Sequence, residues 1–393
     1  MTIYFDRSRR ADFEKCPRKR YWGYEYQGRG IQPLGTQRSD WALITGIGVH
    51  AGIGEVAQGL DIESAVTEAV IQANYPFVED DKEQQSQREQ LALVEALVRC
   101  WAVAFYPQFA AEFEVLAVEQ EEQVELAPGV VMMVRPDMLV RRRSDGALFT
   151  WQLKTTKRAD EKWQAQWPLD QMTISEVLAV EARLRQEVGE EQAVFLAGDP
   201  FDVPVVSGVI VQGLVKGDQS EWPKGSGNWS FNNPLIYAWH NESGKPQPQG
   251  DWTARFAWTD EFGSHRLGKG WRKLAVWQDY PGGIAAWISW LQQNDPAILE
   301  QQIVTLQPIL RAPHEMERWK RAVVRSEQDI RCNRQIVAEG SDVDTLFPMH
   351  TSSGNCIWPY PCQFKEICWG MAQPDDESLF KLRELNHKQE VVG

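Results

Sequence analysis

One acid and one polar-x-lysine triplet, separated by fourteen residues and a turn, constrain this chain more than anything else in it. The residues are Arg135-Pro136-Asp137 and Gln152-Leu153-Lys154, with Ser144-Asp145-Gly146 between them. Val130 to Arg141 is a β-branched run following Pro128-Gly129, and Leu148 to Lys154 is a second apolar run, so the turn between them predicts a hairpin. Alternation along a strand puts Gln152 and Lys154 on one side and Leu153 on the other. The hairpin brings Asp137 close to that pair. A carboxylate, a side-chain amide oxygen and a backbone carbonyl make a hard-oxygen site suited to magnesium or manganese. A lysine beside it positions or activates water and stabilises charge on an attacked phosphate. Pro-Asp alone is a common turn dipeptide, and Gln-x-Lys alone means nothing. The order and the strand context give them weight.

The elements around the hairpin are consistent with an α/β core. Residues 1–30, with Cys16-Pro17 inside, read as helical, and Thr45 to Gly54, which contains His50, starts the next helix. Residues 61–74 and 84–105 follow as helices, the second with Leu91, Val94, Leu97, Val98 and Trp101 at helical spacing. Glu114 to Glu125 alternates in part and reads as a strand carrying Glu119, Glu121, Glu122 and Glu125. The simplest role for those acids is a solvated face, with one of them near the metal site as the other reading. Gln171 to Val188 returns to helical spacing, and Val205 to Lys216 is another apolar strand. Residues 217–250, dense in Gly, Ser, Asn, Pro and Trp, read as a long loop or insertion, 251–258 as a strand, and 283–335 as mainly helical. No Gly-rich phosphate loop follows a strand, and no Walker or GxSxG stretch is present.

Charge and cysteine usage narrow the class. A formal net charge of −14 argues against coating nucleic acid through bulk electrostatics. It leaves room for a local basic groove, and Arg18-Lys19-Arg20, Arg141-Arg142-Arg143 and Lys154/Lys157/Arg158 are basic clusters. The 18 tryptophans read mainly as packing, with a few free to stack on unpaired bases. No apolar run reaches bilayer length, and the N-terminus carries charges where a secretory signal has an apolar stretch, so a cytoplasmic protein is expected. In that compartment clustered cysteines bind metal more often than they form disulfides. Cys356, Cys362 and Cys368 are spaced by five residues each, in an irregular Gly- and Pro-bearing segment. Cys100 lies on an apolar helix face and reads as core.

Pro136-Asp137 followed by Gln152-x-Lys154 resembles the PD-(D/E)xK nuclease signature, in its RecB-like branch. His50, in Gly46-Ile47-Gly48-Val49-His50, looks like the helical histidine of that branch, and Gln171 like its downstream glutamine, with Ser175 where its tyrosine would stand. Phe13-Glu14-x-Cys16-Pro17-Arg18 is similar to its N-terminal cysteine-proline segment. The resemblance implies a restriction-endonuclease-like core, a mixed central sheet flanked by helices, with helical extensions at both ends. Residues 1–194 and 301–372 would form the nuclease-like domain, 195–300 a fourth core strand plus an insertion, and 373–393 a polar tail, partly disordered. It implies that His50, Asp137 and Gln152 hold Mg2+ or Mn2+, that Lys154 orients the attacking water, and that Gln171 helps hold a DNA backbone. It also implies that Cys16 joins Cys356, Cys362 and Cys368 around a structural 4Fe-4S cluster. Zinc is the second candidate for that site, and Cys332 a substitute for Cys16. The expected partner is DNA, as single strands or ends, with a helicase or recombination protein on another chain. The departure is Gln152, where the family has Asp or Glu: a glutamine brings no negative charge. A DNA-binding domain that does not cut is therefore the alternative.

Overall fold

The computed structural model describes residues 2–34, 41–75, 79–188, 206–221, 229–241, 271–350, 356–357 and 361–384. At the N-terminus, β1 (Ile3–Phe5) leads into α1 (Arg7–Lys15), capped by Asp6 Oδ1, which accepts the Arg9 N–H at 2.8 Å. The chain breaks at the extended Cys16, resumes in α2 (Pro17–Arg20) and a wide helical turn over Tyr21–Glu25, and reaches β2 (Ile31–Pro33). Residues 1–30 are thus two short helices flanking Cys16, preceded by a strand. Pro17 explains the break, since it disfavours helical backbone at the residue before it.

Three helices form one layer: α3 (Trp41–Ala57), α4 (Ile62–Gln72) and α5 (Asp81–Ala104). Asp61 and Asp80 start the second and third by accepting the Ser64 and Glu83 N–H groups. Glycine lets α3 approach its neighbours. A methyl group on Gly48 would sit 2.6 Å from the Ala69 carbonyl oxygen, and one on Gly52 2.7 Å from Val98. After α6 (Tyr106–Glu112) come β3 (Phe113–Val118), β4 (Glu122–Ala127), β5 (Val130–Val134), β6 (Met138–Arg142) and β7 (Leu148–Thr156). Then follow α7 (Glu161–Gln166), α8 (Met172–Val188) and β8 (Val206–Val215).

The central sheet has the order Ile303–Thr305, β8, β7, β6, β3, with β7 and β8 parallel and the other pairs antiparallel. The α7–α8 segment makes the crossover that a parallel pair requires. Alternation sends Val140, Phe149, Trp151, Leu153 and Ile210 toward the α3–α5 layer, and Leu139, Val209 and Val211 toward α8. Both faces are covered, which is the mixed α/β architecture the sequence implies.

Two expected strands divide. Val130 to Arg141 is β5 and β6, parted at Arg135-Pro136-Asp137, and Glu114 to Glu125 is β3 and β4. β4 belongs to a second sheet of order β1-β5-β4, in which β1 pairs parallel to β5. Within 217–250, Gln219–Glu221 pairs with Trp229–Phe231. Tyr237–Asn241 pairs with Trp271–Ala275. Helix Gly283–Asn294 buries Trp287, Ile288 and Leu291 in the same cluster as α5, so this part of the expected insertion belongs to the main core. The strand expected at 251–258 lies outside the described residues.

The two ends of the chain meet. Phe380–Leu382 pairs with β2 and Arg383 is buried, so the expected polar tail is ordered at least to Glu384. The fully buried Arg20 binds Glu25 at 2.7 Å and, on the long helix Pro313–Ala338, Glu327 at 3.0 Å. Removing Glu327 leaves the buried Arg20 with Glu25 as its carboxylate partner, so Glu327→Ala is expected to destabilise the protein by less than the about 3–5 kcal/mol of a fully broken buried pair. Gly52→Val, which forces α3 off α4 and α5, is expected to cost about 1–3 kcal/mol. Urea unfolding midpoints of the two variants against the parent check both.

Candidate metal centre and active site

The site forms where β6 stops and β7 runs on. Met138 pairs with Trp151, and beyond it β6 gives way to Pro136-Asp137 while β7 continues to Thr156. The Leu153 N–H, past the end of β6, donates instead to Asp137 Oδ2 at 2.6 Å. The Asp137 carbonyl accepts the Glu119 N–H at 3.0 Å. Asp137 thus joins three segments through its own main chain and side chain. On its other oxygen, His50 Nδ1 of α3 lies 3.4 Å away, and Lys154 Nζ is 3.9 Å from Oδ2. Lys154 Nζ also donates to Gln152 Oε1 at 2.8 Å. Gln152 and Lys154 therefore share a face as alternation requires, with Leu153 in the opposite core cluster.

Glu119 is the residue that pattern reading did not single out. It follows the last residue of β3 and adopts φ +49°, a left-handed conformation uncommon for a glutamate. Its side chain lies 2.9 Å from Arg135 Nε. The ligand atoms of His50, Glu119 and Asp137 all fall within 4.8 Å of one another. The four glutamates expected on one strand divide: Glu119 and Glu121 lie in the link between β3 and β4, while Glu122, buried at 2.6 Å from Arg183, and Glu125 lie on β4 of the second sheet. Only a positive φ and a backbone contact to Asp137 aim Glu119 inward, and neither has a sequence signature.

The electrostatics suit a cation. Burial alone would raise the Asp137 carboxyl, yet His50, Lys154 and the Leu153 N–H outweigh it and hold it at about 2. Glu119 is pushed up by burial and then by the negative charge of Asp137, with Arg135, His50 and Lys154 opposing. Two acids that repel each other beside an imidazole are a donor set whose strain a divalent ion relieves, so these residues fit one. Behind them, Glu176 of α8 accepts from Thr150 Oγ1 at 3.2 Å. Burial lifts its carboxyl to about 8, with Lys154 pulling it down and Asp137 pushing it up. Gln152 is buried; its oxygen serves Lys154, and its Nε2 donor has no acceptor among the described residues.

Gln171 bonds to residues outside this group. Its Nε2 donates to Glu14 at 2.8 Å and its oxygen accepts the Trp319 Nε1–H at 3.1 Å, so both ends of the amide are engaged. Ser175 donates within α8 to the Met172 carbonyl.

The cysteines gather at the far end of α1. The His350 N–H donates to Cys16 Sγ at 3.5 Å, the Cys356 thiol donates to the His350 carbonyl at 3.9 Å, and the Cys362 N–H to the Cys356 carbonyl at 2.9 Å. Burial raises the Cys362 thiol, and neighbouring Cys16 and Cys356 add to the rise. Cys368 is pushed by burial to about 11, with Cys362 and Cys16 adding. The four thiols therefore feel one another. Cys332 is exposed, and the buried Cys100 donates to the Leu299 carbonyl at 3.4 Å.

No curated protein matches the chain. No helix among the described residues is long and apolar enough to cross a membrane. A family model described as the PD-(D/E)XK nuclease superfamily matches residues 7–369, a span holding the acid-lysine hairpin, His50 and all four converging cysteines. Members of that superfamily are metal-dependent hydrolytic nucleases acting on nucleic acid, and with nearly the whole length matched, this chain belongs to the PD-(D/E)XK nuclease superfamily.

Proposed function

We propose that the protein is a divalent-metal-dependent deoxyribonuclease that hydrolyses phosphodiester bonds at DNA ends or in single strands, as an exonuclease in recombination, repair or phage replication. The observation that carries this reading is the convergence of His50, Glu119 and Asp137 within 4.8 Å, with Lys154 Nζ 3.9 Å from the Asp137 carboxylate. His50, Glu119 and Asp137 would hold the cation. Glu119 supplies the second carboxylate that Gln152 lacks. Magnesium or manganese, when bound, offsets phosphate charge and polarises the ester. Lys154, steadied by the Gln152 oxygen, orients the attacking water and stabilises negative charge developing on the phosphate. Asp137, held well below the ordinary carboxylate range, stays ionised throughout the neutral range.

We further propose that Cys16, Cys356, Cys362 and Cys368 bind a 4Fe-4S cluster that fastens the C-terminal segment to the end of α1. A single zinc with bonds of about 2.3 Å needs sulfurs roughly 3.8 Å apart.

Purified protein with manganese is expected to degrade end-labelled single-stranded DNA, and chelation with EDTA to stop it. Asp137→Ala or Lys154→Ala should cut the rate by about 10²–10³-fold. Glu119→Gln should raise the manganese concentration needed for half-maximal rate by roughly 10–100-fold. Undiminished cleavage by Asp137→Ala would sink the reading. Anaerobically purified protein should be brown, with about four irons per chain. Cys362→Ala should lose both colour and iron and unfold at lower temperature, because ligation energy is folding energy. One zinc and no iron would refute the cluster.

A further inference from the structure

One cavity is not used by the chemistry above. It has a volume of about 240 Å³ and lies between α1, β5, the start of α8 and the long helix Pro313–Ala338. Ligand pockets for drug-sized molecules run to about 300–1,000 Å³, so this one suits a single ring system. Its apolar lining includes Phe5, Met132, Val134 and Trp319. Val134 and Ser175 line it, and the residues that follow them reach the surroundings of the metal centre: Arg135 Nε lies 2.9 Å from Glu119, and Glu176 accepts from Thr150 of β7 at 3.2 Å. The cavity and the metal centre are therefore neighbours.

The charges in the cavity wall are already matched. Arg7 binds Asp170 at 2.8 Å and Arg10 binds Glu14 at 2.9 Å, while Asp6 caps α1. Such a wall offers donors and acceptors without a net field for a phosphate. It fits a neutral ring with hydrogen-bonding edges and apolar faces.

Leu169 adds the second observation. It lines the cavity and is 85% exposed, the largest exposure among the bulky apolar residues described. The turn that carries it is not loose. Trp167 is buried at its start, and Asp170 at its end is held by Arg7, by Arg311 Nη2 on its carbonyl at 3.3 Å and by the Met172 N–H on its carboxylate at 2.9 Å. An apolar side chain displayed on an anchored turn at a cavity mouth, left open by the described residues, is placed to meet a flat apolar ligand.

We propose that this cavity seats one unpaired nucleobase of the strand to be cut, with its face against Leu169 and its edge toward the Asp170–Ser175 side. This rests on the nuclease reading for the identity of the ligand. A seated base would fix the strand's register on the metal centre, and would make unpaired DNA the preferred substrate over duplex.

The test measures binding of the full chain, in EDTA, to short labelled single-stranded oligodeoxynucleotides that each carry one abasic position. Removal of a base contact is worth on the order of tenfold in affinity. One abasic position is expected to weaken binding by about that factor. Leu169→Ala, at a site too exposed to disturb folding, should weaken binding of the intact strand by a comparable factor and add nothing on the strand abasic at that position. The inference is overturned if no abasic position matters or if the two losses multiply. Manganese-dependent cleavage of the intact strand by the unaltered protein is scored separately. Cleavage without coupling between Leu169 and the missing base removes the cavity inference and leaves the nuclease. Coupling without cleavage keeps the base seat and removes the nuclease.

Discussion

The hydrogen bond from the Leu153 N–H to Asp137 Oδ2 is the contact on which the site depends. A strand that outruns its neighbour leaves backbone donors without a ladder partner, and burying such a donor unpaired costs about 1–3 kcal/mol. Asp137 removes that cost by placing its carboxylate where the next strand residue would have been. The same act fixes the acid one residue from Lys154, while its own carbonyl fixes Glu119. Register, acid and lysine are thereby set by one residue whose first duty is structural. The α3 helix completes the arrangement, because Gly48 and Gly52 let it lie close against α4 and α5 while His50 reaches Asp137.

Gln152 looks like a defect when read along the strand and less so when read in three dimensions. Its neighbours already include Asp137, Glu119 and the buried Glu176, whose carboxyl is lifted to about 8 and is largely protonated at neutral pH. A further ionised acid in that volume would add repulsion with little water to screen it. The amide instead accepts from Lys154 and fixes the ammonium without charge. On the proposed reading, the second metal carboxylate has been relocated from the lysine strand to the link after β3.

What was legible in the sequence was local. The hairpin, the helices around His50 and after Gln171, and the core face carrying Leu153 all follow from periodicity and turn chemistry within a few residues of each other. What was not legible depended on distant contacts. The inward aim of Glu119 requires a left-handed backbone that glutamate rarely adopts, held by a carbonyl eighteen positions along the chain. The parallel pairing of Ile3–Phe5 with β5 and the antiparallel pairing of Phe380–Leu382 with β2 join segments too short to announce themselves as strands. Gln171 was legible as a residue but not as a contact, since its partners Glu14 and Trp319 lie 157 and 148 positions away.

The helix α1 explains why a cysteine patch remote from the hairpin bears on it. Arg7, Arg10 and Glu14 on this helix line the cavity beside the metal centre, and Cys16 terminates it. The chain then turns at once into Arg20, which is buried against Glu25 and against Glu327 of the long C-terminal helix. That same helix sends Trp319 back to Gln171 at the cavity. On the proposed reading, a ligated cluster at Cys16, together with the Arg20 ion pairs, would hold both a wall helix of the cavity and the helix opposite it. Without it, the cavity side of α1 would rest on contacts such as those to Asp170 and Gln171, one of them an ion pair in which Arg7 is half exposed and of the kind worth about 0–1 kcal/mol. The α1 side of the cavity would loosen before the hairpin did, because the hairpin is secured by strand pairing on both sides and α1 faces the cavity through side-chain contacts.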